Sequence, residues 1–268
     1  MASIERVPDD YEVEKIDLDK PFDDSKYIHL SDYSNALRRY KFEKCYQPKH
    51  PILFEYMYAD DEEQEEFRKK YIHPDMYWAE KNKEWDWIIE EPIWEVYQFP
   101  LFTKELSNMF IEEAEHFGHW LGQHSGPNEG ANYATTDAAL ASFPSDKNFR
   151  DTPLVELHFA LQKKYVRPII KKVWKYTPGS WDYPFIVRYT PEEQQFVEPH
   201  HDKAVCATII SLNEEYEGGG TYFERQKTLL DRESGWCTLH PSRLTHRHGS
   251  KRVTKGSRYI LVTFIGSN

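Results

Sequence analysis

The chain has 268 residues, 34 basic against 45 acidic side chains, a net charge of −11, and 15% aromatic residues. That length supports a large core without disulfide or metal staples, and the acidic balance argues against nucleic-acid binding, which relies on a basic face. The three cysteines, Cys45, Cys206 and Cys237, form no CxxC pair, which argues against a disulfide framework and a multi-cysteine zinc site.

Met1 is followed by polar residues, and apolar runs such as 260–266 fall far short of the ~20 residues that cross a bilayer. The expectation is a cytoplasmic protein with no membrane span and no secretory leader. Residues 1–65 are charged and tyrosine-rich without a sustained period. The acidic block Asp60 to Glu66, followed by Arg68, Lys69 and Lys70, predicts a helix with a solvated face, because acid before base suits the helix dipole and i,i+4 pairing. Four tryptophans, Trp78, Trp85, Trp87 and Trp94, are expected to bury their rings and pin this extension, residues 1–95, onto a core formed by residues 96–268.

Thr103 reads as an N-cap, Leu106, Phe110, Ala114 and Phe117 as the apolar stripe of a helix, and Gly118 as its stop. Residues 122–150 read as a long loop of the functional kind. Thr152 and Pro153 open a second helix with Leu154, Leu157 and Leu161 on its buried side, and Pro168 is expected to kink or end it. From Pro184 the pattern turns to strands: 185–189, 204–212, 221–223, 236–240 and 258–265, with turn signals such as Gly218-Gly219-Gly220 between them. Helices first and strands afterwards predict an α+β fold, a jelly roll with helices backing one face.

The β half carries a metal-ligand pattern. His200-His201-Asp202 opens the second strand, where residues i and i+2 point to one side, so His200 and Asp202 could grip one ion. A third ligand is expected from His240, His246 or His248; the last two share parity, so spacing does not separate them. Two histidines and a carboxylate suit a non-haem Fe(II) oxygenase, which leaves three positions open for substrate and dioxygen; a zinc hydrolase or a cupin-like enzyme would use a similar set. Arg258 enters an apolar strand: either it faces solvent at the strand start, or it is buried and needs an anion, which a ligand carboxylate would supply. The second His-x-Asp copy, His73-Pro74-Asp75, lies in a proline-broken charged segment with no strand to hold it and reads as structural.

These stretches, in order, resemble a known family. Phe99-Pro100-Leu101-Phe102, Glu112 to Gly118, Arg188-Tyr189-Thr190-Pro191-Glu192, Pro199 to Asp202, Tyr216 to Gly220, His240 to His246 and Gly256 to Ile260 are similar to the catalytic domain of the Fe(II)/2-oxoglutarate-dependent procollagen-lysine 5-dioxygenases, over roughly residues 67–268. The resemblance implies a double-stranded β-helix, Fe(II) held by His200, Asp202 and His248, 2-oxoglutarate held by Arg258 with Tyr189 nearby, and L-ascorbate keeping the iron reduced. Its metal histidine lies ten positions before the 2-oxoglutarate arginine, which selects His248 over His246. It further implies hydroxylation of peptidyl lysine in a collagen-like substrate, with a prolyl or small-molecule hydroxylase as the alternative, and a homodimer. The family's lumenal home makes the endoplasmic reticulum the alternative compartment if a leader precedes this sequence. The chain departs from the family pattern at Ile209, where an asparagine is expected, and at Ala138-Ala139, where Asp-Ile is expected.

Overall fold

The computed structural model describes residues 20, 44, 46–118, 120, 137–139, 153–179 and 182–266. The acidic block does form a helix. Asp60 caps helix α2 (Asp61–Tyr71), which follows the short α1 (Ile52–Glu55). The Asp60 carboxylate accepts from the Glu62 and Glu63 amides while the Glu63 side chain accepts from the Asp60 amide, a complete capping box. His73-Pro74-Asp75 is a cap as well: the His73 ring accepts from the Asp75 amide, and Pro74 opens α3 (Pro74–Asn82). Thr103 caps α4 (Lys104–Phe117), and Gly118 closes it with φ 65°, a left-handed conformation that costs glycine least.

Helix α5 (Pro153–Leu161) buries Leu154, Leu157 and Leu161. It runs into one wide turn, Gln162–Val166, and continues as α6 (Arg167–Trp174). Pro168 therefore does not end the helical run. The chain widens just ahead of it, which relieves the clash between the proline ring and the preceding turn. Thr152 and nearly all of the 122–150 stretch lie outside the described residues. Its one described piece is strand β3 (Asp137–Ala139).

The tryptophan expectation is corrected. Only Trp85 is buried; Trp78, Trp87 and Trp94 are 46%, 54% and 63% exposed. Trp78 and Trp87 pack edge to face on each other, and Trp94 sits in the two-residue turn between β1 (Glu90–Ile93) and β2 (Val96–Pro100). Burial against the sheet comes instead from Leu53, Phe54, Tyr56, Phe67, Tyr71 and Met76, which share one cluster with Leu239, Leu261 and Ile265.

The remaining strands are β4 (Asp182–Tyr189), β5 (Val197–His200), β6 (Cys206–Ser211), β7 (Tyr216–Gly218), β8 (Thr221–Phe223), β9 (Thr228–Leu230), β10 (Trp236–Pro241), β11 (His248–Ser250), β12 (Val253–Gly256) and β13 (Arg258–Ile265). They make a seven-stranded sheet in the order β1-β2-β10-β6-β13-β4-β3 and a four-stranded sheet in the order β5-β11-β8-β9, with β12 and β7 paired separately. From β4 onward the chain crosses repeatedly between the two sheets, and every pairing is antiparallel. This is the expected jelly roll.

Strand parity sorts the large sheet's two faces. Leu261, Ile265, Ile186, Ile210 and Leu239 pack in the cluster shared with the helices. Val187, Tyr189, Ile209, Ile260 and Val262 form a second cluster with Val197 of the small sheet, inside the roll. Arg258 shares parity with Ile260 and Val262, so the period of two carries it inward. Among the described residues no helix is long and apolar enough to cross a membrane.

Candidate metal centre

His200 and His248 face each other across the small sheet: His248 of β11 pairs with His200 of β5 on one side and with Phe223 of β8 on the other. Asp202 lies two residues beyond the end of β5, in the turn that leads to β6. The expectation that His200 and Asp202 open one strand and converge by its parity is therefore corrected. His200 ends a strand, and the turn between the sheets folds Asp202 back beside it. His201 is exposed.

The three side chains meet. One ligand atom from each of His200, Asp202 and His248 lies within 4.8 Å of the others. His200 Nε2 is 3.3 Å from Asp202 Oδ1 and His248 Nε2 is 3.8 Å from Asp202 Oδ2. Both imidazoles are fixed from behind: His200 Nδ1–H donates to the Glu198 carbonyl at 2.9 Å and His248 Nδ1–H to the His246 carbonyl at 3.0 Å. A carbonyl only accepts, so each Nδ1 carries the proton and each Nε2 is left with a lone pair. Burial works against charge on Asp202, but the imidazoles of His200, His248 and His240 outweigh it and hold the carboxyl at about 2. Burial pushes His248 toward its neutral, ligating form. For His200, burial acts in the same sense but is outweighed by the Asp202 carboxylate, and its pKa rises.

His246, inseparable from His248 by spacing, is separated by geometry. Its Nε2–H donates to the Trp94 carbonyl at 2.9 Å, its Nδ1 bonds the Thr245 hydroxyl at 2.8 Å, and its ring stacks beneath Trp94. Both nitrogens are committed elsewhere. His240, the third candidate, does reach the cluster: its Nε2 lies 4.0 Å from Asp202 Oδ2 and its ring centre 4.4 Å from that of His248.

Arg258 is 2% exposed and begins β13 opposite Tyr189 of β4. It reaches toward the small sheet, where Nη1 donates to Ser250 Oγ at 3.0 Å and Nη2 to Thr221 Oγ1 at 3.4 Å. The rings of Tyr189 and Tyr216 flank it at 5.7 and 5.9 Å. Among the described residues it has no carboxylate partner, and its Nε has no acceptor. A buried guanidinium held only by hydroxyls and rings is an anion receptor. Gly219 completes this cradle: a Cβ there would stand 2.9 Å from Arg258 Cδ, on a backbone with φ 74°. The sequence pattern did not single out Ser250, Thr221 or Tyr216, because their contacts depend on strands distant in the chain.

The donor set fits a ferrous ion on what it offers: one imidazole nitrogen each from His200 and His248 and the ionised carboxylate of Asp202, their ligand atoms within 4.8 Å of one another.

Comparison with known proteins agrees. The chain is 36% identical over 211 residues to procollagen-lysine,2-oxoglutarate 5-dioxygenase 1 of Mus musculus, covering 75% of this chain and 27% of that protein. It is 30% identical over 260 residues to the multifunctional procollagen lysine hydroxylase and glycosyltransferase LH3 of Homo sapiens, covering 89% of this chain and 32% of that protein. The chain thus spans about a quarter to a third of the length of these curated relatives. Among solved structures, a prolyl hydroxylase from Trichoplax adhaerens, in complex with a hypoxia inducible factor peptide fragment, superposes with a TM-score of 0.51 at 11% identity, covering 75% of this chain and 96% of that one, which shows the shared fold. The model of the OGFOD2-like domain matches residues 42–177, just over half of the sequence, and with relatives of the procollagen-lysine dioxygenase kind the chain belongs to the OGFOD2-like domain family.

Proposed function

We propose that this protein is an Fe(II)- and 2-oxoglutarate-dependent dioxygenase that hydroxylates peptidyl lysine, converting lysine, 2-oxoglutarate and dioxygen into 5-hydroxylysine, succinate and carbon dioxide. The observation that carries the reading is the convergence of His200, Asp202 and His248, together with a buried Arg258 that bonds Ser250 on the strand of His248. In this reading His200, Asp202 and His248 hold the ferrous ion, and Arg258 holds the far carboxylate of 2-oxoglutarate. Iron and 2-oxoglutarate, when bound, supply the oxidising power that inserts one oxygen atom of dioxygen into a C–H bond. The chain's own residues bind, orient and exclude water. The carbonyls of Glu198 and His246 fix the imidazole tautomers, and Asp202 stays ionised. The apolar wall of Val187, Ile209, Ile260 and Val262 keeps the interior dry, which strengthens the contact between Arg258 and an anion. Tyr189, opposite Arg258, sets its ring against the guanidinium.

The lysine substrate is supported by the names of the relatives, and L-ascorbate as reductant belongs to the same reading. So does the division into an extension, residues 1–95, and a catalytic unit, residues 96–268. The test is turnover on matched lysine and proline peptides, including collagen-like Lys-Gly sequences. Succinate release and a one-oxygen mass increase on lysine, both requiring Fe(II), are expected. Turnover on proline alone would move the substrate assignment, and succinate independent of Fe(II) would overturn the chemistry.

A further inference from the structure

A fourth histidine stands at the metal centre. His240, on β10 of the large sheet, is fully buried and shares inward parity with Thr238. Its Nδ1–H donates to the Pro241 carbonyl at 3.0 Å. Because that acceptor takes the ring proton, Nε2 presents a lone pair, and it has no partner. Nε2 faces Asp202 Oδ2 at 4.0 Å, and that oxygen has no hydrogen-bond partner either. Two buried lone pairs facing each other are unfavourable unless a donor stands between them. A separation of 4.0 Å is too long for a direct hydrogen bond and suits one water molecule donating to both atoms.

The ring itself has little freedom. His248 packs against it edge-on at 4.4 Å and Phe223 at 5.4 Å. Its backbone is paired with Ala207 of β6. His240 is thus anchored in one sheet while His200 and His248 come from the other, and Asp202 lies in the turn that joins them. A carboxylate in a turn can rotate about its own bonds, so something must choose which oxygen faces the metal. The three ligand positions are filled without His240; Oδ1 lies 3.3 Å from His200 Nε2, while Oδ2 stands between His248 Nε2 at 3.8 Å and His240 Nε2 at 4.0 Å.

We propose that His240 is a positioning residue, which through one bridging water holds Asp202 Oδ2 and so turns Oδ1 toward the metal. This rests on the reading of His200, Asp202 and His248 as metal ligands. It adds a role for a residue outside that set, of the kind outer partners of metal ligands play elsewhere.

The test is metal binding, read without turnover. The full chain, stripped of metal, is titrated with Co(II) in wild-type form and as His240→Phe, His240→Gln and His240→Asn, following affinity by calorimetry and ligand field by visible absorption. His240→Phe keeps the ring shape and loses the nitrogen. It is expected to bind Co(II) roughly 10- to 100-fold more weakly, with a shifted spectrum. His240→Gln puts a polar atom where Nε2 stands and is expected to recover most of the affinity, whereas His240→Asn, whose amide reaches only to the Nδ1 position, is not. Wild-type affinity and an unchanged spectrum in His240→Phe would overturn the proposal while leaving the metal centre intact. If His240→Phe does not fold, equal affinities of the Gln and Asn variants would overturn it. A wild-type chain that binds no Co(II) would overturn the metal centre, and this role with it.

Discussion

Arg258→Met asks whether the buried guanidinium serves the fold or a ligand. The substitution keeps an unbranched stem between the Tyr189 and Tyr216 rings and removes a charge that has no carboxylate partner among the described residues. It also strips the Ser250 and Thr221 hydroxyls of a donor, at about 1 kcal/mol each. Against that stands relief of the cost of burying an unpaired cation, which is at least comparable. Melting of the ligand-free chain is therefore expected to stay within a few degrees of wild type. Ligand binding is another matter. Two charge-assisted hydrogen bonds to a carboxylate contribute ~1.5–3 kcal/mol each, so losing them weakens 2-oxoglutarate by at least about a hundredfold. With Mn(II)-loaded protein and 2-oxoglutarate at about 100 times the wild-type Kd, wild type gains ~2.7 kcal/mol, a rise in Tm of roughly 5–10 °C for a chain of this size. At that same concentration the variant is near its own Kd and gains about 0.4 kcal/mol, roughly 1 °C. Differential scanning fluorimetry resolves these. A full 2-oxoglutarate shift in Arg258→Met, or a collapse of the ligand-free Tm, would show that the arginine is structural and refute the anion-receptor argument.

Metal content should separate two neighbours: His248→Gln is expected to reduce bound iron to near background, while His246→Gln keeps it, as read by plasma emission on purified protein; the reverse result would reassign the ligand. Burial pushes the fully buried His158 down to about 3, so its neutral form is favoured in the folded state, and an unfolded histidine titrates near 6.5. The unfolded chain then binds the extra proton between those values. The stability this residue contributes is complete above about pH 6.5 and lost as pH falls toward 3. Its slope is ~1.4 kcal/mol per pH unit, or about 2 kcal/mol between pH 6.5 and 5. Denaturant unfolding of His158→Leu should show that slope removed, and an unchanged pH profile would count against it. Asp60→Ala breaks the capping box of α2 and is expected to cost about 1 kcal/mol, roughly 2–4 °C in Tm, with metal content unchanged; a loss of metal would mean that the extension shapes the site.

The sequence by itself determined the pieces whose physics is local. Asp60, His73 and Thr103 cap helices because a short side chain beside a helix start finds free amides within three residues, and period-two alternation in 258–265 turns Arg258 inward with Ile260 and Val262. The ordered motifs were enough to point to the metal triad. What tertiary structure decided were choices between residues that are locally equivalent. His246 and His248 share a strand parity, and only the Trp94 carbonyl, 152 positions away in the chain from His246, takes one of them out of contention. Asp202 joins His200 through a turn between sheets, which no periodicity encodes. Trp78, Trp87 and Trp94 look like core by composition, yet a helix face, a turn and a two-residue hairpin hold them in solvent. His240 is one of three candidate ligands by sequence, and its place opposite Asp202 emerges only when β10 is laid beside β6. For His246 and His240 the deciding contact spans a long stretch of chain, and contacts of that range leave no spacing signature in a single sequence.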